Sequence, residues 1–408
     1  MKNLCCIVLL LFFSPKCWAQ KKPLPDMYRG VLLLHQANGV QLPFNFDLSY
    51  KGRKPQIVIF NADEKIQVDE ISIRNDSLYF KMPVFDTEFR AKIRDSIIEG
   101  LWINHYRNNE RILPFVAYKG ETRRFLQEPS SNFNIEGEWG CIFSPGARNS
   151  SIAQARFHHI EQTSQISGTF LTETGDYRFL EGVLSNDSLF LSAFDGSHAF
   201  LFTALMRNDS VVDGMFFSGS HWQEPWFAVR NKRSALRPPD KISYLSDSTG
   251  KISFSFKNLK GRTVSLHDSH YRNKAVIVQL MGSWCPNCMD ESRYLSEIYD
   301  KYRKSGLEII ALAFERTRDE KQARAQLSRL KQRLGLKYEI LVTGAMGKEE
   351  AGRILPDLNS VSAFPTTLFL DREHKVVKIY TGFNGPATGK DYEKFKITTE
   401  SLIQNLIK

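Results

Sequence analysis

The chain has 408 residues, of which 42% are hydrophobic and 25% are charged, so it is long enough to form two or three folded domains. Its formal net charge at pH 7 is +10, but the charges are interleaved along both halves and no base-stacking module is visible. This pattern is typical of a solvated surface and argues against nucleic acid as a partner.

The N-terminal segment has the pattern of a secretory signal peptide. Lys2 gives a basic start, residues 4–13 form a short apolar core, and small residues precede a cut after Ala19. We predict that residues 1–19 are removed and that the protein resides in the periplasm or cell envelope with no membrane span left. Two alternatives stay open: a retained anchor, for which the apolar run is short, and a lipoprotein cut before Cys17.

The six cysteines divide between this segment and the mature chain. Removal of residues 1–19 leaves Cys141, Cys285 and Cys288, which are too few for a disulfide-stapled scaffold or an all-cysteine zinc site. We therefore predict no metal, and no cofactor other than a redox-active disulfide between Cys285 and Cys288. Cys141 lies in a β-like run and is expected to be buried and inert.

Residues 30–230 contain an internal repeat. Three segments return about 111 to 114 residues later: 75–80 as 186–191, 95–102 as 209–216, and 114–117 as 225–228. Each unit alternates apolar and polar positions and is punctuated by Asn-Asp-Ser turns. We predict two similar antiparallel β units, residues 30–120 and 134–230, each closed into a small barrel or a curled sheet.

Two features of this region bear on function. Trp222, Trp226 and Phe227 either belong to the core of the second unit or line the mouth of a ligand site. The charged, proline-containing residues 121–129 and 231–240 are predicted linkers. Because only the second linker joins the β units to the C-terminal third of the chain, we expect relative motion, and β units that recruit a partner without shaping the chemistry.

A Cys-x-x-Cys motif stands at a predicted junction between a strand and a helix. The apolar run 275–281 stops before Cys285, and apolar residues recur at helical spacing after Cys288. Pro286 suits the first helical turn, which places Cys285 at the helix N-terminus, where a thiolate is stabilised. Cys285 is the predicted nucleophile and Cys288, one turn later, the resolving sulfur, whereas a permanently closed structural staple is the alternative.

Further strands and helices surround this motif. The pattern predicts a βαβ start and an antiparallel finish, with strands at 276–281, 307–314, 338–342, 366–370 and 376–380 and helices from Pro286 to Lys304, at 319–334 and at 399–407. In the second helix a narrow apolar stripe is expected to pack, while its Arg and Lys side chains are expected to be solvated.

Four features of residues 250–408 together resemble the TlpA-like and ResA-like thiol-disulfide reductases of the thioredoxin fold. They are Trp284 before the Cys-x-x-Cys, the acidic Glu291, the Phe-Pro-Thr-Thr segment 364–367 and the lead-in 259–266. The resemblance implies an α/β thioredoxin-like domain over residues 246–408, following the two β units. It also implies an exported reductase, with a disulfide-containing protein as substrate and a membrane thiol carrier as electron donor.

The resemblance extends to individual residues. It implies a cis peptide bond before Pro365, beside the cysteines, and a proton-handling role for Glu291, for which a solvated helix position is the alternative. Gln279 stands where thioredoxin carries a buried Asp, which leaves proton transfer to Glu291 or water. The expected substrate-binding residues are Trp284, Pro286, Phe364, Pro365 and Thr366.

Two other functions stay open from the sequence. In one, the β units act as an envelope ligand-binding or interaction module and the thioredoxin-like part is secondary. In the other, the protein is a thiol peroxidase, which would consume peroxide without a disulfide substrate.

Overall fold

The computed structural model describes residues 26–35, 39–107, 111–128, 133–160, 165–230, 233–246 and 249–408. The predicted signal peptide lies outside these ranges. Within them the chain forms three units in sequence order: two antiparallel β sheets of nine strands each and a seven-stranded mixed sheet with helices. No helix in these ranges is both long and apolar enough to cross a membrane.

The first β unit is a curled antiparallel meander. Its strands are β1 Asp26–His35, β2 Val40–Lys51, β3 Lys54–Asn61, β4 Glu64–Val68, β5 Glu70–Arg74, β6 Ser77–Lys81, β7 Thr87–Arg94, β8 Ile97–Asn104 and β9 Ile112–Lys119. Their order is β4-β3-β2-β1-β9-β8-β7-β6-β5. Alternate residues point inward, as the period of a strand requires, and phenylalanines in mutual contact, such as Phe44 and Phe89, fill the interior.

The second β unit is a similar meander, in the order β11-β10-β18-β17-β16-β15-β14-β12-β13, and it closes into a barrel. Its strands are β10 Gly137–Phe143, β11 Ser151–His159, β12 Gln165–Thr172, β13 Gly175–Asp176, β14 Leu180–Ser185, β15 Ser188–Phe194, β16 Ala199–Arg207, β17 Ser210–Ser218 and β18 Trp222–Arg230. Closure comes from β12, which pairs with both β11 and β14. The predicted fold class, two β-rich repeat units of barrel or curled-sheet form, is therefore confirmed.

The structure refines the repeat at one point. The turns at Asn75 and Asn186 both have a left-handed first residue, with φ of 53° and 52°, as the sequence alignment of the units predicts. In the next pair of turns the left-handed residue is Asp95 in the first unit and Asn208 in the second. Asp95 is therefore structurally equivalent to Asn208 rather than to Asp209. The extra residue lies in a β-bulge of β17 around Asp213, which lengthens the second unit locally.

The C-terminal unit has the predicted βαβ start and antiparallel finish. Its strands are β19 Ser255–Asn258, β20 Thr263–Ser265, β21 Ala275–Met281, β22 Leu307–Ala313, β23 Glu339–Val342, β24 Thr366–Leu370 and β25 Val376–Thr381, and its helices are α1 Pro286–Tyr302, α2 Glu320–Arg333, α3 Gly347–Ile354 and α4 Lys390–Leu406. β21 runs parallel to β22 and antiparallel to β24. The short α3 was not predicted, and α4 begins well before the predicted residue 399.

The three units pack on one another, contrary to the expectation that one linker alone joins the C-terminal unit to the rest. Arg329 and Arg333 of α2, predicted to be solvated, form ion pairs with Glu70 and Asp69 of the first β unit at 2.6 and 2.7 Å. The predicted linker 121–129 also contributes to the packing of the units. Its Arg124 is buried and contacts Glu181 of the barrel at 3.1 Å. These contacts argue against free relative motion of the units.

Candidate active site

The cysteine pair lies where β21 ends and α1 begins. Cys285 has an extended backbone and occupies the N-cap of α1, where its Sγ accepts a hydrogen bond from the backbone N–H of Cys288 at 3.2 Å. Pro286 is the first helical residue. The backbone N–H at this position has no acceptor within the helix, so proline costs no hydrogen bond here. The two cysteines form a disulfide in which Cys285 is 6% exposed and Cys288 is fully buried. Only Cys285 is therefore open to a partner.

Glu291 lies in the protein interior, one turn beyond Cys288. Its carboxylate, only 1% exposed, accepts hydrogen bonds from Gln279 Nε2 and Thr367 Oγ1, each at 2.8 Å. Burial raises the pKa of Glu291 to about 7, and these two hydrogen bonds only partly oppose it. The solvated alternative is wrong, and the carboxyl group is suited to accept or release a proton near neutral pH.

Gln279 connects this acid to Cys288. The same Nε2 that donates to Glu291 lies 3.5 Å from the carbonyl oxygen of Cys288, while Gln279 Oε1 accepts a hydrogen bond from Ser292 at 3.1 Å. The neutral amide thus orients Glu291 and takes no proton itself.

The loop before β24 lies beside the disulfide. The Phe364–Pro365 peptide bond is cis, as predicted, and the Phe364 carbonyl oxygen lies 3.6 Å from Cys285 Sγ. Thr366, expected to bind substrate, is instead fully buried and donates a hydrogen bond to the carbonyl oxygen of Ala363 at 2.8 Å. Pro365 is also buried. Phe364 is 9% exposed, slightly more than Cys285.

A second buried acid, which sequence reasoning missed, supports the turn before Cys285. Glu315 follows β22 and accepts hydrogen bonds from the backbone N–H and the hydroxyl of Ser283, at 2.8 and 2.5 Å. Burial raises the pKa of Glu315 to about 7. Tyr106 of the first β unit reaches the same serine, with its hydroxyl 3.4 Å from the Ser283 carbonyl oxygen. The first β unit therefore contacts the cysteine loop directly.

A cavity of about 380 Å³ lies in front of the cysteine pair, between the thioredoxin-like unit and the β units. Trp284, Cys285, Pro286 and Phe364, all expected at the site, line one wall. The opposite wall comes mostly from the barrel, including Trp222, which is 46% exposed, whereas Trp226 belongs to the barrel core. Of the three aromatic residues considered for the core or a ligand mouth, Trp222 lines the cavity, Trp226 packs in the core, and Phe227 is half-buried and outside the cavity lining.

The barrel is fixed to the cysteine helix by polar contacts. The side-chain amide of Asn287, between the two cysteines, donates to the carbonyl oxygen of Asp176 at 3.2 Å. Ser197 Oγ donates to the carbonyl oxygen of Trp284 at 2.8 Å. These bonds, together with the cavity wall, contradict the expectation that the β units leave the reaction site untouched.

Four basic side chains of the cavity were not predicted. They are Arg107 of the first β unit, His198 and His221 of the barrel, and Arg316 of the thioredoxin-like unit. They come from segments far apart in the chain, so no motif or periodicity joins them in the sequence. Cys141 contributes nothing to the site, because it is a free thiol buried in the barrel whose pKa burial raises to about 12.

Comparisons with known proteins agree with this geometry. Residues 245–395 match the Redoxin family model. The chain is 31% identical over 129 residues to thiol-disulfide oxidoreductase ResA of Geobacillus thermodenitrificans and 30% identical to that of Geobacillus kaustophilus, each alignment covering 32% of this chain. It spans 66% of the length of each of these relatives, slightly less than two thirds.

Part of the chain is also similar to solved structures. A thioredoxin-family thiol:disulfide interchange protein of Chlorobium tepidum is 17% identical with a TM-score of 0.29, over 43% of this chain and all of its own. A thiol-disulfide oxidoreductase of Bacteroides fragilis is 17% identical with a TM-score of 0.27, over 35% of this chain and 96% of its own.

Fold and site together define a class for the C-terminal unit. The mixed sheet, the Cys-x-x-Cys at a helix N-terminus and the cis-proline loop form a thioredoxin-fold domain. The Redoxin match covers most of this domain, and its sequence is similar to that of the ResA thiol-disulfide oxidoreductases, as the sequence motifs indicate.

Proposed function

We propose that the whole protein is an exported thiol-disulfide oxidoreductase that works as a reductase. One observation carries the proposal: Cys285 occupies the helix N-cap and opens into the cavity, while Cys288 is bonded to it and buried beneath. A nucleophilic thiol must meet its substrate, and a resolving thiol must meet only the nucleophile. The burial of the two sulfurs fits this division of roles.

The proposed reaction begins with the reduced pair. The Cys285 thiolate attacks a substrate disulfide, forming a mixed disulfide and releasing the first substrate thiol. Cys288 then loses its proton and attacks Cys285, which releases the second thiol and leaves the protein disulfide. Two electrons pass from the protein to the substrate. We assign the proton of Cys288 to Glu291, because it is buried close by on the same helix with its pKa near neutrality.

The protein disulfide must be reduced again for turnover. We propose a membrane thiol carrier as the electron donor, as the family resemblance implies, and a disulfide-containing protein or smaller disulfide as the substrate. Export is supported by the signal-like pattern of residues 1–19. N-terminal sequencing of protein recovered from the cell envelope tests export and the predicted cut, which gives a mature chain beginning at Gln20.

Ligand binding by the β units alone is not favoured as a separate function. The barrel wall and Cys285 line one and the same cavity, so a ligand held by the barrel there also faces Cys285. The β units are better understood as part of the redox site.

Turnover by the full-length protein tests the proposal. With dithiothreitol as reductant and bis(2-hydroxyethyl) disulfide as substrate, the wild type should release thiol catalytically, and Cys285→Ser should reduce the rate to background. The matched control is Cys141→Ala, which removes a buried thiol outside the site and should keep turnover. Activity retained in Cys285→Ser would overturn the proposal.

A further inference from the structure

The cavity in front of Cys285 gathers basic side chains from all three units. The guanidinium of Arg107 donates to His221 Nε2 at 2.9 Å, which makes His221 a neutral acceptor through that nitrogen. Partial burial and the neighbouring charges of Arg107 and Arg316 lower the pKa of His221 to about 4, in agreement with this assignment. His221 thus holds Arg107 in place without adding a charge of its own.

Arg316 approaches the cavity from the thioredoxin-like unit. Its guanidinium stacks 3.9 Å from the ring centre of Trp284, the residue next to Cys285. The surrounding protein, followed by the charge of Arg107, lowers the pKa of Arg316 to about 10. The two arginines therefore repel each other at the cavity mouth, where Arg316 is exposed, and they stay charged at neutral pH. An anion placed between them would relieve that repulsion.

Two acidic residues also line the cavity, and both are engaged by the protein. Glu224 accepts hydrogen bonds from Ser144 Oγ at 2.6 Å and from Trp222 Nε1 at 3.0 Å. Asp176 accepts hydrogen bonds from the backbone N–H groups of Arg178 and Gly385. These neutral donors fix the positions of both carboxylates, and the guanidinium groups that line the cavity are those of Arg107 and Arg316.

We propose that this cavity selects disulfides flanked by carboxylate groups, with Arg107 and Arg316 binding the carboxylates while Cys285 attacks the sulfur. The proposal rests on the proposed function and adds the substrate class. The cavity, about 380 Å³, has the size of a small-molecule site, and Cys285 is only 6% exposed. A disulfide on a small acid or on a thin acidic peptide fits this space, whereas the disulfide of a folded domain does not.

Three small disulfides of similar length test the charge selection with the full-length protein. They are 3,3′-dithiodipropionate, which is anionic, bis(2-hydroxyethyl) disulfide, which is neutral, and cystamine, which is cationic. With dithiothreitol as reductant, KM should be lowest for the anion and highest for the cation, and added salt should raise KM for the anion. Equal KM values for all three would overturn the proposal.

Substitution of Arg107 then tests whether this residue causes the selection by substrate charge. Arg107→Gln should lower kcat/KM for dithiodipropionate about tenfold through KM and change that for the neutral disulfide less than about twofold. Arg207→Gln, at an exposed position of the barrel, is the matched control and should change neither. An equal loss on both substrates in Arg107→Gln would indicate a structural role and overturn the proposal.

A binding experiment separates this inference from the proposed function. Suberate has the length and charges of dithiodipropionate but no sulfur, so its binding to the oxidised protein can be measured by calorimetry without turnover. It should bind more tightly than 1,8-octanediol, and Arg107→Gln should weaken it about tenfold. Indistinguishable binding of the two would overturn the anion site. Suberate binding without turnover of any disulfide would keep the anion site and reject the oxidoreductase.

One further comparison distinguishes a small acid from an acidic protein segment as the source of the disulfide. The disulfide-linked dimers of the peptides Glu-Cys-Glu and Lys-Cys-Lys carry the same charge contrast on a polypeptide. A lower KM for dithiodipropionate than for the acidic dimer assigns the site to small acids, and the reverse assigns it to an acidic segment of a protein. Preference for the basic dimer over the acidic one would contradict the proposal.

Discussion

Arg178 of the second β unit is ion-paired with Asp290, which lies two residues after Cys288 on the helix that carries the cysteine pair. The same guanidinium pairs with Glu64 of the first β unit and lies 3.2 Å from Asp195 of the barrel. Arg178 is 2% exposed, so this junction of all three units is shielded from water. The arginine is the charge that allows three carboxylates to be buried together.

Removal of that charge should destabilise the protein strongly. Arg178→Met removes the cation that Asp290, Glu64 and Asp195 share and leaves only Arg293 beside Asp290 and His198 beside Asp195. The expected loss of unfolding free energy is about 3–5 kcal/mol. A denaturant titration at pH 7 measures it, with the exposed Arg207→Met as the control expected within about 0.5 kcal/mol of wild type. Similar midpoints for the two variants would show that the junction adds no stability.

Glu291 should set the pH dependence of the exchange reaction. If it takes the proton of Cys288, then Glu291→Gln slows resolution of the mixed disulfide by about 100-fold and removes the inflection near pH 7. The pH–rate profile of single-turnover thiol release measures both effects. Glu297→Gln, at an exposed position of the same helix, is the control and should keep the wild-type profile. An unchanged profile in Glu291→Gln would remove the acid from the mechanism.

Glu315 should make the fold less stable as the pH rises. Its folded pKa of about 7 lies above the ordinary value of 4.5, so the folded state binds more protons than the unfolded state between those pH values. Stability is therefore lost as the pH increases from about 4.5 to 7, by an amount on the order of 3 kcal/mol for this group.

The test is the pH dependence of unfolding in Glu315→Gln. A neutral side chain carries no such desolvation cost, so the variant should lose less stability than the wild type between pH 5 and pH 8. Denaturant midpoints at several pH values give the comparison, and Glu349→Gln at an exposed position serves as the control. Parallel curves for Glu315→Gln and the wild type would show that the Glu315 carboxyl group does not titrate as described.

The local chemistry of the site was predictable from sequence. The apolar strand, the proline after Cys285 and the helical spacing after Cys288 place the two sulfurs, and Phe364 followed by Pro365 marks the facing loop. Each of these depends on residues close together in the chain, whose backbone preferences are strong. The role of Glu291 was implied by the family resemblance, whereas the helical repeat alone left a solvated position open.

The arrangement of the three units was not predictable. Closure of the second sheet depends on the pairing of β12 with β14, which the alternating pattern of either strand does not specify. Arg107 and Arg316 are more than two hundred residues apart in sequence, and only the packing of the units places them in one cavity. From the helix pattern alone, Arg333 is predicted to be solvated. Its ion-pair partner Asp69 lies in the first β unit, far away in sequence, so only the folded structure identifies the pair.

The most direct test of the redox account is the site of the mixed disulfide. Full-length Cys288→Ser, reduced and then incubated with bis(2-hydroxyethyl) disulfide, should retain one substrate half on Cys285, because the resolving sulfur is gone. Mass spectrometry of proteolytic fragments locates the adduct, and dithiothreitol should remove it. The account predicts a single adduct at Cys285 and none in the Cys285→Ser, Cys288→Ser double variant. No adduct on Cys285, or a trapped adduct on Cys288 in Cys285→Ser with none in Cys288→Ser, would contradict it.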